Sequence, residues 1–137
     1  MTPPPEPAAG LAHARGRVAE QVAATLLRDH GLTVLERNFR VTGAELDLVC
    51  RDGDELVFVE VRARGPGGPA PSATLDGRKL SYLLRGARAW LAAGPDPEPP
   101  WRLEVVSVTL DGAGRPVAAE RITDPFVHLP EFHHADP

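Results

Sequence analysis

GAELDLVCRDGDELVFVEVRAR, residues 43–64, decides the fold. It reads as two apolar strands joined by a tight turn at Asp52-Gly53, a strong hairpin signal. Into these strands the chain sets Glu45, Asp47 and Glu60, followed by Arg62. Carboxylates are depleted in strands and costly to bury, so three in one hairpin need a cause. Strand side chains alternate between faces. A loop of two residues (Asp52-Gly53) or four (Arg51 to Asp54) pairs Cys50 with Glu55 and Glu45 with Glu60. Glu45, Asp47, Glu60 and Arg62 then share one face, and a loop of odd length would separate them. The opposite face carries Leu46, Leu48 and Cys50 against Val57, Val59 and Val61, a plausible core.

Like charges across a strand pair repel unless a cation lies between them. Mg2+ suits such a place, because it prefers carboxylate oxygens and keeps waters for a phosphate substrate. The bland alternative is a solvated face whose Glu-Arg pairs serve solubility. Leu56-Val57-Phe58-Val59 argues against it, being apolar on both faces as a central strand is.

Outward from the hairpin, Leu11 to His30 reads helical, with Val18, Val22 and Leu26 in one apolar line and Gly31 as its stop. Glu20 lies across from Val18 in a strip with Gly16, Ala24 and Leu27, placed to reach the hairpin acids or simply to face solvent. Leu32 to Arg40 is an edge or near-edge strand carrying Arg37 and Arg40, which suit phosphates or neighbouring acids. The Gly/Pro-rich stretch 65–77 is a loop long enough to be functional or mobile, with Asp76 a candidate N-cap. A second helix opens at Lys79 and runs to about Ala92, burying Leu80, Leu83, Leu84, Ala87 and Leu91. Its polar side carries Lys79, Arg85 and Arg88, while Tyr82 and Trp90 suit either core or contact surface. Trp101 to Leu110 is a strand, and Asp111-Gly112 turns it towards a shorter one near Pro116 to Ile122. The order α-β-β-β-α-β, with a short final strand, predicts an α/β domain: a central mixed sheet flanked by helices.

The 137 residues suffice for one core, assigned to 11–126, with a disordered lead-in over 1–10 and a flexible tail over 127–137. His128, His133 and His134 in that tail have no acids set around them on a helix and are not read as a metal site. No stretch approaches the roughly 20 apolar residues of a membrane span. MTPPPEPAAG lacks the basic start and apolar run of a secretion signal, which predicts a cytoplasmic protein. Cys50, the single cysteine, is expected to be buried packing. The net charge of -4 excludes a uniformly basic nucleic-acid binder, yet residues 11–91 hold twelve Arg/Lys against ten Asp/Glu. No phosphate loop, dinucleotide fingerprint or Ser/Cys-His nucleophile arrangement is present.

GRVAEQVA (16–23), RNFRVTGAELDLV (37–49), FVEVRAR (58–64) and Lys79 together resemble the YraN-type uncharacterised family of bacterial proteins. That family's pattern runs GxxGExxA, RNxRxxxGEIDLI, FVEVKxR and a lysine on the next helix, and the resemblance spans about residues 15–126. It implies a fold of the restriction-endonuclease and Holliday-junction-resolvase class, with a PD-(D/E)xK metal site. Carried over, Asp47 and Glu60 are the metal ligands, Glu20 the helix Glu and Glu45 the Glu of GEID. Arg62 takes the usual Lys position, and Lys79 is the later helix Lys. Ala19 and Ala44 replace glycines of the pattern.

The resemblance implies a Mg2+- or Mn2+-dependent endonuclease acting on nucleic acid, DNA ahead of RNA, with branched or recombination and repair DNA in view. Arg37, Arg40 and Arg64 would bind the backbone, and a homodimer would suit chemistry on two strands. Arg62 raises an alternative, since Arg stabilises charge but does not readily give up a proton: a nucleic-acid-binding protein of the same fold with weakened catalysis. A protein-interaction domain is the third reading.

Overall fold

The computed structural model describes residues 7–66, 77–96 and 99–123. Its elements are α1 (Pro7–Asp29), β1 (Thr33–Val41), β2 (Ala44–Asp52), β3 (Glu55–Arg64), α2 (Gly77–Ala92), β4 (Trp101–Leu110) and β5 (Pro116–Ile122). The strands form one sheet in the order β1-β2-β3-β4-β5. Only the β3–β4 pairing is parallel. A parallel pair needs a crossover, and α2 lies in the chain between those two strands. This is the expected mixed α/β architecture, with β1 at an edge as its charges suggested. Among the described residues, no helix is long and apolar enough to cross a membrane. The loop residues 67–76, with Asp76, and the histidine-bearing tail lie outside the described residues.

α1 begins at Pro7 rather than Leu11, a position in the first turn where a missing N–H costs nothing. It ends as Gly31 demands: at φ +91°, the Gly31 N–H reaches the Arg28 carbonyl at 2.9 Å and the Leu32 N–H reaches that of Leu27 at 3.0 Å. Its inward stripe is Ala19, Ala23, Ala24 and Leu27, all buried, while Val18, Val22 and Leu26 flank it half-buried. The strip that holds Glu20 is therefore the one facing the sheet, and the valine line is its margin. Small alanines allow a close approach that valines at those positions would prevent. On the other face, α2 starts at Gly77, two residues before Lys79, and buries Leu80, Leu83, Gly86 and Ala87. A Cβ on Gly86 would stand 2.9 Å from Leu46 Cγ, so the helix is seated on the sheet by the missing methyl.

The β2–β3 register differs from the expected one. Asp52 pairs with Glu55, Cys50 with Val57 and Leu48 with Val59, so the two-residue loop is Gly53-Asp54. Gly53, at φ +61°, takes the first loop position, the glycine-first arrangement of a type II′ turn. A turn at Asp52-Gly53 would instead have asked for positive φ at Asp52 as well. The shift is of two residues, an even number, so no side chain changes face. It brings Asp47, not Glu45, level with Glu60.

A second departure is more consequential. Leu48 and Cys50 pack under α1 with Val57 and Val59, as expected, but Leu46 packs under α2 with Val49 and Phe58. Alternation is thus broken between Leu46 and Leu48, at Asp47. β1 breaks at the same level. Arg37, opposite Leu48, reaches Gln21 of α1, whereas Phe39, opposite Leu46, packs in the α2 cluster. Between them Asn38 adopts φ +53°, the only non-glycine at positive φ among the described residues. Two adjacent strands swap faces together, at Asn38 and Asp47.

On β4, level with Val59 of β3, Glu104 is fully buried and accepts from Arg102 Nη2 and Arg121 Nη2, both at 2.8 Å. Arg102 also binds Asp52 and Glu55, tying the β2–β3 turn to β4. Burial pushes the Cys50 thiol up to about 11, which fits its role as core packing.

Gly86→Ala is expected to lower stability by about 1–3 kcal/mol, the cost of overpacking against Leu46. Helix propensity alone would raise it by roughly 1 kcal/mol. Urea unfolding of the two proteins decides between these signs.

Candidate functional site

The site begins with the backbone. The β2–β3 ladder is paired up to Leu48↔Val59, and beyond it the strands part. That leaves the Val61 N–H to find an acceptor, since an unpaired buried donor is costly. Asp47 supplies one: its Oδ2 accepts from Val61 N at 2.7 Å. The face swap at Asp47 thus turns a strand carboxylate into a cap on the neighbouring strand.

Glu60, beside Val61, is buried and lies on the α2 side of β3 with Phe58. Its Oε2 is 2.9 Å from Nζ of Lys79, in the first turn of α2. Burial, the charge of Glu60 and a hydrogen bond with it push the Asp47 carboxyl up to about 8, and Glu20 adds to the rise. Burial and the neighbouring Glu60 therefore favour the protonated form of Asp47 near neutral pH. Burial works against the charge on Lys79, but the hydrogen bond and charge of Glu60, with Asp47, outweigh it and hold the ammonium above its ordinary value. Arg62 is close enough to oppose that rise slightly. Lys79 is a fixed cation rather than a base.

The donor set suits a hard divalent cation. Two neighbouring carboxylates, one of them driven to hold its proton, would be relieved by a cation of higher charge. Among the described residues, no group of three or more His, Cys, Asp or Glu side chains is arranged around a metal position. Asp47 and Glu60 alone would supply the protein ligands and water the rest, a coordination Mg2+ tolerates.

The other sequence candidates are distributed around this pair. Glu20 sits on the inward strip of α1, half-buried and within electrostatic reach of Asp47. Glu45 is not in the buried pair: it bridges Arg40 across the β1–β2 hairpin at 3.5 Å, at the surface. Arg37 donates to Gln21 at 3.1 Å, and Arg64 to Thr109 at 3.3 Å. A cavity of about 380 Å³ opens beside the site, lined by Arg40, Gly43, Glu45, Lys79 and Tyr82 among others. Glu45 and Lys79 thus share a cavity though not a bond.

Asn38 was beyond sequence reading as a site element. Its signal was faint: an Asn in the middle of a strand, where that residue is depleted and where positive φ is tolerated best after glycine. Trp90 resolves as a packing residue that stacks edge-on to Phe58 and donates to Glu36 at 2.9 Å. Tyr82 remains on the surface.

Comparison with known proteins follows the same residues. The model of the "Uncharacterised protein family UPF0102" matches residues 19–108, which span Glu20, Asp47, Glu60 and Lys79. A UPF0102 protein of Nitratidesulfovibrio vulgaris (strain DP4) is 43% identical over 115 residues, 83% of this chain and 84% of its own. One from Streptomyces griseus subsp. griseus is 42% identical over 106 residues, 76% of this chain and 89% of its own. One from Dechloromonas aromatica (strain RCB) is 50% identical over 86 residues, 61% of this chain and 70% of its own.

Two outcomes test the geometry. The folded pKa of Asp47 lies above its unfolded value, so this carboxyl's contribution to stability is whole below about pH 4 and drains away as pH rises towards about 8. Asp47→Asn mimics the protonated acid. In EDTA it is expected to be more stable than wild type by about 1–3 kcal/mol near pH 8, with no advantage near pH 4. An advantage equal at both pH values would contradict the raised Asp47 pKa. Asn38→Val should cost about 1–3 kcal/mol, and Asn38→Gly little, because the left-handed backbone penalises a branched side chain. Thermal melts of the two variants measure the difference.

Proposed function

The chain belongs to the uncharacterised family UPF0102, and from that premise we propose that it is a divalent-metal-dependent endonuclease hydrolysing phosphodiester bonds in nucleic acid. The carrying observation is half-buried Asp47 beside buried Glu60, with Lys79 held on Glu60 at 2.9 Å. A bare carboxylate pair would repel a phosphate. A pair that demands a cation, with an ammonium fixed beside it, fits one.

Asp47 and Glu60 would hold Mg2+ or Mn2+, which when bound lowers the pKa of a water and neutralises phosphoryl oxygen charge. Lys79, already a cation in direct contact with Glu60, balances negative charge that develops on the phosphate. Arg62, on the same face of β3 as Glu60, adds a second fixed charge but no exchangeable proton at neutral pH. The attacking water's proton then needs a carboxylate outside the pair, and Glu20 on α1 is the one nearest in charge to Asp47. Arg40 and Arg64 flank the site as backbone-positioning cations, and DNA is the preferred polymer. The protein is proposed to work in the cytoplasm.

Arg62 also favours a second reading, in which the domain binds nucleic acid without cutting it. Incubation of labelled single-stranded, duplex and four-way-junction DNA, and of RNA, with Mg2+ or Mn2+ separates the two. Wild type should cut in a metal-dependent way, Glu60→Ala should lose roughly 100-fold or more, and Arg62→Lys should cut at least as fast as wild type. Cutting by Arg62→Lys alone would mean an intact site with a disabling cation. Inert lanes throughout, with salt-sensitive binding retained, would transfer the assignment to the binding reading.

A further inference from the structure

α2 stands apart from the rest of the molecule in charge. In a protein of net charge -4, its sixteen residues carry Arg78, Lys79, Arg85 and Arg88 and no acid. Arg78, Tyr82 and Arg85 follow one another at spacings of four and three, which aligns them along one ridge, and Arg88 continues it. All four are exposed. Tyr82 keeps 45% of its surface in solvent although the helix has apolar packing on its other side, so its ring is not spent on the core. Tyr82 also lines the 380 Å³ cavity, with Arg40 and Lys79. Arg85 is not loose on the ridge: its Nη1 donates to the Gly43 carbonyl at 3.3 Å, which holds the guanidinium over the β1–β2 turn at the cavity rim. Gly43, at φ +76°, leaves it room, since a Cβ there would lie 2.7 Å from Arg85 Nη1.

An aromatic ring exposed among cations, above a cavity large enough for a base, is the arrangement that holds unpaired nucleotides. Bases stack on the ring irrespective of sequence while cations track the backbone. A paired duplex cannot offer a base face to Tyr82. We infer that the Arg78–Tyr82–Arg85 ridge of α2 and the adjoining cavity form a binding track for a single-stranded nucleic-acid segment, with a base stacked on Tyr82 beside Lys79. The inference rests on the nucleic-acid reading above and narrows it: the substrate has unpaired nucleotides next to the scissile phosphate, as at a flap, gap or branch. DNA and RNA share this chemistry.

The test is fluorescence anisotropy in EDTA, so that binding is read without cleavage. The full chain is titrated into labelled single strands of ~15 nucleotides, DNA and RNA separately, and into a duplex of the same length. Single strands should bind more tightly than the duplex, and the tighter of the two single strands identifies the polymer. Tyr82→Ala should weaken single-strand binding about tenfold and leave duplex binding unchanged, while Tyr82→Phe stays within about twofold of wild type. Arg78→Ala combined with Arg85→Ala should flatten the salt dependence for both single strands and duplex. A duplex bound as tightly as single strands, Tyr82→Ala binding like wild type, Tyr82→Phe losing as much as Tyr82→Ala, or no nucleic-acid binding at all would each overturn the track. The binding pattern above in a protein that cuts nothing would sink the nuclease reading and leave the track standing. Cutting of intact duplex that Tyr82→Ala does not alter would do the reverse.

Discussion

The face swap at Asn38 and Asp47 is the constraint on which the rest of the site depends. A regular β2 would have pointed Asp47 and Val49 to one side and Leu46 and Leu48 to the other. Instead Leu46 joins the α2 core, Leu48 the α1 core, and the residue between them is freed from both. Its carboxylate takes the Val61 N–H at the point where β2 and β3 separate. One left-handed residue in β1 lets the edge strand follow the same turn, so hydrogen bonding between β1 and β2 survives it, with Arg37↔Leu48 and Phe39↔Leu46 still in register. A strand that swaps alone would lose pairing on both sides, and the coordinated swap loses it on one.

Holding two carboxylates together in this place has a cost that the surroundings offset. Burial and mutual charge drive Asp47 to hold its proton, which is a statement that the pair is unfavourable when ionised. Lys79 stabilises Glu60 directly, and it can do so because α2 is seated tightly on Leu46 through Gly86. Glu104, on the neighbouring strand, makes an instructive contrast. It is more deeply buried than Asp47, yet it is met by two guanidinium groups, each within 3.0 Å. That carboxylate is charge-balanced and tethers the hairpin turn to β4. The Asp47–Glu60 pair has Lys79 on Glu60 and Arg62 close by, and Asp47 is still driven to hold its proton. Balanced burial serves architecture, and a carboxyl left with a raised pKa despite nearby cations is the better candidate for a site.

Much of this was legible in the chain. The order of elements, the edge position of β1 and the grouping of Asp47 with Glu60 follow from alternation, turn residues and helical periodicity, while Lys79 was added by the family resemblance. The shift of the turn from Asp52-Gly53 to Gly53-Asp54 did not spoil the grouping, because an even shift preserves faces. What failed was the assumption that alternation runs unbroken through Asp47, which wrongly put Leu46 with Leu48. A period-two pattern cannot report a swap between two apolar residues, since both remain buried. The inward face of α1 was misread for a related reason. Hydrophobicity favours Val18, Val22 and Leu26, but close helix–sheet packing favours the smaller Ala19, Ala23 and Ala24. Glu45 was grouped with the buried acids on parity alone, and at the sheet's open end parity does not decide partners: Arg40 lay opposite it.

The arrangement of cations bears on what the arginine at position 62 changes. A lysine there would be a point charge able to rotate and, when desolvated, to exchange a proton. Arg62 retains the charge and forfeits the exchange. Lys79 does not restore it, because its contact with Glu60 and its nearness to Asp47 stabilise the ammonium form. The two cations therefore supply charge in duplicate and proton transfer in neither place. For phosphate binding this is no loss, since two fixed charges hold an anion better than one titrating group. For the proposed hydrolysis it would move the burden of accepting a proton onto the carboxylates, and Glu20, on the inward strip of α1 and outside the Asp47–Glu60 pair, would be the group left to carry it.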